Sequence, residues 1–218
     1  MLRNLSGLIA LPLALLLGCA STPGPYGGSV EFEDASGRMV FELRSGSSDS
    51  LRMRSESGAL ICQLQPEGEA VRVLDARGRK LGTVVPLQDG VGLLVRSETG
   101  QELYKLIVES DGDFKLRDAS GANLYVGKHR SYGFKVLDAS DVVESRVKVR
   151  EGRVSVRDGS GQKYLKAKLE SPDPLAMAML TLQDVPIYFA AGLSFAVARG
   201  DHGLVPASGP GSPSASAR

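Results

Sequence analysis

The chain is 218 residues long, 42% hydrophobic, and carries 26 glycines, no tryptophan and a formal net charge of +1. That length fits one domain with its own core, and the glycine content suits many tight turns. The near-neutral charge excludes a whole-molecule attraction to nucleic acid, and two cysteines, Cys19 and Cys62, exclude a disulfide framework.

Residues 1–18 read as a leader. Arg3 gives a positive start, residues 8–17 are almost wholly apolar, and Leu16-Leu17-Gly18-Cys19 closes the segment. The apolar run is short for a transmembrane helix and has the layout of a secretory signal. Its last four residues resemble the bacterial lipobox. The resemblance implies cleavage before Cys19 and lipidation of its thiol with acyl chains such as palmitate. Two or three chains hold a protein at a bilayer far better than one. An ordinary signal peptide and an uncleaved anchor are the alternatives. Ala20 and Ser21 follow, without the aspartate that retains lipoproteins at the inner membrane of enteric bacteria, so the resemblance favours the outer membrane. Residues 19–29 would be the lipidated cysteine and a flexible tether, rich in Gly, Pro and Ser.

Residues 30–170 contain a repeat. A turn of the form Asp-x-Ser-Gly occurs as Asp34-Ala-Ser-Gly37, Ser55-Glu-Ser-Gly58, Asp75-Ala-Arg-Gly78, Ser97-Glu-Thr-Gly100, Asp118-Ala-Ser-Gly121, Asp138-Ala-Ser-Asp141 and Asp158-Gly-Ser-Gly161, at spacings of 20 to 22 residues. Alternation flanks each turn, as in Phe114-Lys-Leu-Arg117 and Val154-Ser-Val-Arg157. Period two with one wet face predicts strands, and each turn then joins a β-hairpin. Each turn carries too few carboxylates for a calcium loop, so its Asp or Ser is read as turn chemistry.

Residues 171–199 break the pattern with an Ala-, Leu- and Met-rich segment. Asp173-Pro174 predicts a helix start, and Asp184 and Pro186 an interruption. Gln183, Asp184 and Pro186 make a membrane span costly. The segment is therefore predicted to lie inside protein, and a closed meander supplies the container. Residues 200–218 are predicted to be a disordered tail.

This combination resembles the tubby C-terminal-like fold, shared by tubby, the phospholipid scramblases and the plant LURP-one-related proteins. The resemblance rests on hairpins such as Phe114-Lys-Leu-Arg-Asp-Ala-Ser-Gly121 and Phe134-Lys-Val-Leu-Asp-Ala-Ser140, and on Leu175-Ala-Met-Ala-Met-Leu180 arriving last. It implies an all-β antiparallel barrel of about twelve strands around a C-terminal apolar helix. It leaves one hairpin, the first, outside the barrel. It also leaves residues 187–198 as a second helix, packed outside or pairing with a partner. Tyrosine-aspartate surface repeats are a rival, but Glu33, Leu74, Arg117, Leu137 and Arg157 stand where those carry tyrosine.

No catalytic motif appears, and no catalytic residue, metal ligand or cofactor is nominated. His129 reads as a solvated loop residue, His202 falls in the tail, and Ser194 lies in an apolar run with no base beside it. Cys62 reads as a small buried hydrophobe. Residues 146–168 are strongly basic. Arg146, Lys148, Arg150, Arg153, Arg157, Lys166 and Lys168 are predicted to face outward, where they could meet anionic headgroups or simply solvate the barrel. The tubby-like relatives' link to lipids points the same way. The expectation is a membrane-apposed binding or structural module with no nucleic-acid partner. The alternatives are an enzyme with an unrecognised site and a scaffold docking an envelope protein through residues 187–198.

Overall fold

The computed structural model describes residue 26, residues 28–88 and residues 91–200. The predicted leader, Cys19, most of the predicted tether, His202 and the predicted tail beyond Gly200 lie outside the described residues.

Fourteen strands follow one another as a meander: β1 (Ser29–Glu33), β2 (Met39–Ser45), β3 (Leu51–Ser55), β4 (Leu60–Glu67), β5 (Ala70–Asp75), β6 (Lys80–Pro86) and β7 (Gly92–Ser97). They continue as β8 (Glu102–Val108), β9 (Phe114–Asp118), β10 (Asn123–Arg130), β11 (Gly133–Asp138), β12 (Val143–Arg150), β13 (Arg153–Asp158) and β14 (Lys163–Lys168). Each strand pairs antiparallel with its neighbours in sequence, and β1 pairs with β14 to close the barrel. All seven sequence repeats are hairpins. The barrel has two strands more than the family resemblance implies, because the first hairpin is part of the wall. The seam between β1 and β14 has one registered pair, Glu33 opposite Lys166, whose side chains form an ion pair at 3.0 Å.

The turns explain the repeat. At Asp118, the carboxylate Oδ1 accepts from the backbone N–H of Ser120 at 2.9 Å and of Ala122 at 3.0 Å, while Gly121 stands at φ 87°. Asp34, Asp75 and Asp138 each take the same pair of backbone donors. In the sixth turn Asp141 adopts the left-handed conformation at φ 61°, which an Asp tolerates better than most side chains. A β-bulge follows every turn, three positions after the glycine (or after Asp141), at Val40, Ile61, Leu81, Leu103, Leu124, Glu144 and Tyr164. A bulge bends and twists its strand, and a bulge in each repeat helps the sheet curl on itself.

The seven turns lie at one end of the barrel, here the upper end. The other connections, and the entry of the chain at Tyr26, lie at the lower end. Two helices fill the lumen: α1 (Pro174–Met179) and α2 (Ile187–Arg199). Asp173 caps α1, accepting from Leu175 N at 2.7 Å and Ala176 N at 3.1 Å, with Pro174 in the first turn as the sequence predicts. Its five residues from Leu175 to Met179 are all buried. In α2 every residue from Phe189 to Val197 is buried. The second apolar stretch therefore lies inside the barrel, and it is not the external docking face of the scaffold alternative. Ala190, Ala191, Gly192 and Ala196 keep it slim enough to fit. A Cβ built on Gly192 would stand 3.0 Å from Val73 and 3.1 Å from Val84 on the wall.

The core is apolar and internal, whereas outward positions such as Arg72, Lys115, Lys135 and Arg146 are charged and only partly buried. That is the reverse of a membrane-spanning barrel, whose outward face is an apolar band. Among the described residues no helix is long and apolar enough to cross a membrane. Every described pairing and core residue falls within residues 26–200.

The lumen is tight at the wall as well. Gly127 of β10 pairs with Phe114 of β9, and a Cβ there would run into the Phe114 ring. Gly127→Ala is expected to lower stability by about 1–3 kcal/mol through overpacking, read as a fall in urea midpoint. An unchanged midpoint would mean the ring can move aside.

Candidate functional site

The strands β12, β13 and β14 bring the seven predicted basic residues onto one outer face. Arg146 is opposite Arg157, Arg150 is opposite Arg153, Arg153 is opposite Lys168, and Ser155 joins Lys148 to Lys166. The result is a grid of cations three strands wide. Its members are not equivalent. Arg146 Nη1 donates to the carbonyls of Asp158 and Gly159 at 3.2 and 3.1 Å, and Arg157 Nη1 to Gly161 O at 2.8 Å. Lys166 is ion-paired with Glu33. These three are half-buried. Lys148, Arg150, Arg153 and Lys168 are exposed and lie toward the lower end. Lys148 sits over the Tyr132 ring, 5.3 Å from its centroid, and Arg150 pairs with Glu151 at 3.2 Å across solvent, where such a pair contributes little.

The upper mouth holds a polar cluster that sequence reasoning missed. Five repeats place an aliphatic side chain at the bulge, but the last two place Glu144 and Tyr164 there. Glu144 lies within reach of the charge of Asp184 in the loop between α1 and α2, and Tyr164 within reach of the charge of Glu144. There the Tyr125 hydroxyl donates to Asp184 Oδ2 at 2.9 Å and accepts from Asp184 N at 3.0 Å. Ser145 and Thr181 share a buried hydrogen bond of 2.9 Å. Partial burial, then the charges of Asp184 and Asp138, hold Glu144 above the usual carboxylate range. Burial pushes the Tyr164 phenol up to about 12. Ser145 counters a little of that rise, but its hydroxyl is bonded to Thr181, and the Tyr164 hydroxyl is left without a hydrogen bond. The one signal in the sequence was the change at the bulge position. Residues 125, 144, 164 and 184 come from four elements, and no spacing announces them.

A second cluster was also missed. Glu109, Asp111 and Asp113, in the connection from β8 to β9, bring carboxylate oxygens within 4.8 Å of one another. Among the described residues this is the one group with a metal-like arrangement. Glu109 is already paired with Lys115, and Asp113 with Lys128 at 2.8 Å, while Asp113 Oδ1 also accepts from His129 N at 2.7 Å. His129 is exposed at the end of β10, within a strand where the sequence suggested a loop, with its ring 5.3 Å from that of Phe134.

The remaining polar candidates are structural. Cys62 is fully buried, and burial pushes its thiol up to about 12, which keeps it protonated and unreactive. Ser194 has a partner after all, the Tyr26 hydroxyl at 2.7 Å, deep in the barrel. A groove of about 750 Å³ lies outside the wall between β4 and β8, lined by Glu67, Glu69, Val85, Leu94, Arg96 and Lys105 among others. It mixes both signs of charge and gathers neither His129 nor the mouth cluster.

No family model matches the chain, and no curated protein does. Among solved structures the chain is similar to a protein of Arabidopsis thaliana, at 13% identity over 73% of this chain and 90% of that one, with a TM-score of 0.38. It is also similar to BamB of Moraxella catarrhalis, at 11% identity over 62% of this chain and 68% of that one, with a TM-score of 0.26. Likenesses of that size carry no argument about function.

Proposed function

We propose that the chain is a lipoprotein of the bacterial cell envelope, anchored through Cys19, outer-membrane in location, and acting as a membrane-apposed binding or structural module. In this reading the outer face of β12–β14 meets anionic lipid. The barrel is a variant of the tubby-like architecture with one more hairpin and one more internal helix. The observation that carries the reading is the gathering of Arg146, Lys148, Arg150, Arg153, Arg157, Lys166 and Lys168 on one outer face. The lipobox-like leader supplies the address. The buried interior is mainly apolar packing, with the Tyr26–Ser194 and Ser145–Thr181 hydrogen bonds inside it, which suits a rigid platform better than a solvent-accessible reaction chamber.

Two measurements test it. Expressed in a bacterium fed an alkyne analogue of palmitate, the chain should take up label and lose it in Cys19→Ala. Label that persists in the variant, or never appears, would remove the anchor. The chain without its leader should also sediment with vesicles containing phosphatidylglycerol and stay in solution with neutral ones. Equal sedimentation with both would remove the lipid contact.

A further inference from the structure

The basic grid spans the height of the barrel, but a flat bilayer can touch only part of it. The part is set by where the chain enters. Tyr26 is buried at the lower end and bonded to Ser194, and β1 starts beside the end of β14. Tyr26 is seven steps along the chain from Cys19, with six residues between them. Fully extended, those steps reach about 25 Å. A lipid on Cys19 therefore keeps the lower end close to the headgroups.

The lower rim is charged unevenly. On the side of β10–β14 it carries Arg130, Lys148, Arg150, Arg153 and Lys168, with Glu151, Glu170 and the helix-capping Asp173 as the carboxylates of the adjoining connections. On the opposite side it carries Glu69 and Asp111, together with Glu67 and Glu109, which are ion-paired with Arg72 and Lys115. An anionic surface attracts the first side more than the second, which tilts the barrel toward β12–β14. The attracted side is also the one next to the entry of the chain.

Within that side the row Arg150, Arg153 and Lys168 places like charges directly opposite one another, on strands paired in register. Such a row is destabilising until an anion bridges it. No described side chain pairs with Arg153 or Lys168. By contrast Arg146 and Arg157 are spent on turn carbonyls, and Lys166 on Glu33. Arg146 also stands four residues along the strand from Arg150, about 13 Å, which exceeds the screening length of about 8 Å in physiological salt.

We propose that the anchored barrel rests on an anionic bilayer by this lower edge. Lys148, Arg150, Arg153 and Lys168 contact lipid phosphates, joined by Arg130, with Tyr132 supporting Lys148. Arg146, Arg157 and Lys166 belong to the wall and make no lipid contact. This rests on the lipid-contact reading above and divides the predicted basic set in two.

The test uses the chain without its leader, uncoupled, on phosphatidylcholine vesicles containing about a third phosphatidylglycerol. In one variant Arg150, Arg153 and Lys168 become Gln. In the other Arg146 and Arg157 become Gln. The first is expected to weaken binding roughly a hundredfold, the second by less than about threefold. Thermal melts check that both variants are folded; Lys148→Gln, at an exposed side chain, replaces the triple variant if that one melts early, with an expected loss of roughly fivefold. Equal losses in the two variants would overturn the edge-on contact while leaving a lipid-binding face. Loss confined to the Arg146/Arg157 variant would overturn it too. A parent chain that ignores phosphatidylglycerol would overturn the lipid contact itself.

Discussion

Phe195→Ala is expected to lower the stability of the barrel by about 3–5 kcal/mol. Phe195 is fully buried in α2, and α2 is surrounded by β4–β7 and α1. A helix on the surface of a protein can shift to close a cavity. This one is held by wall on several sides, by Tyr26 through Ser194 at 2.7 Å, and by Arg199 Nη2 on Gly68 O at 3.3 Å. The void left by the ring therefore stays open, and the cost falls toward the upper part of that range. Urea unfolding should show a lower midpoint with an unchanged slope. Ile187→Ala, at a position 39% exposed, serves as the control and should cost less than about 1 kcal/mol. If the two variants unfolded alike, the lumen would not be the core.

Acid should unfold the barrel through its turns. Hydrogen bonds hold the carboxylates of Asp34, Asp75, Asp118 and Asp158 below their ordinary range. The Ser36 hydroxyl is the largest cause at Asp34, the Arg79 backbone N–H at Asp75, and the Ser120 and Ser160 hydroxyls at Asp118 and Asp158. A carboxylate depressed in the folded state contributes stability that is complete above its unfolded value, near pH 4, and is lost as pH falls through the folded value. Glu144 works in the opposite sense: burial and Asp184 raise it, so its contribution is present at low pH and is lost as pH rises through its folded value. The expected profile of melting temperature is flat from neutrality to about pH 5 and falls steeply below about pH 4. Changing the four turn aspartates to Asn should lower the plateau and flatten the fall. A quadruple variant with the parent's acid dependence would place the effect elsewhere, at Glu42 or Asp113, which are also depressed.

Much of this architecture is legible in the residues. The seven Asp-x-Ser-Gly turns specify seven hairpins, and seven hairpins make fourteen strands. The lower count came from the resemblance to a twelve-stranded family, and the turn arithmetic was the better guide. Asp173-Pro174 announces α1 because capping is local chemistry. The place of α2 was harder, since an all-apolar helix is equally suited to a lumen and to an interface. Its small residues at 190–192 and 196 were the available sign of a confined site. The basic face was legible from alternation between residues 146 and 168. Its division was not, because the carbonyls that occupy Arg146 and Arg157 belong to turns and carry no side-chain signature. Arg130 and Tyr132 lay outside the window that the charge run defined.

The lumen filler is also the last part of the fold to arrive. Tyr26 and Ser194, which meet inside the barrel, are 168 residues apart. Strands β1 and β14 can form their hairpins locally, but the wall has nothing to close around until α1 and α2 are present. Contacts of such long range are slow to form. A chain made from its N-terminus would therefore pass through a string of hairpins without a core. Assembly would be triggered by delivery of the final helix.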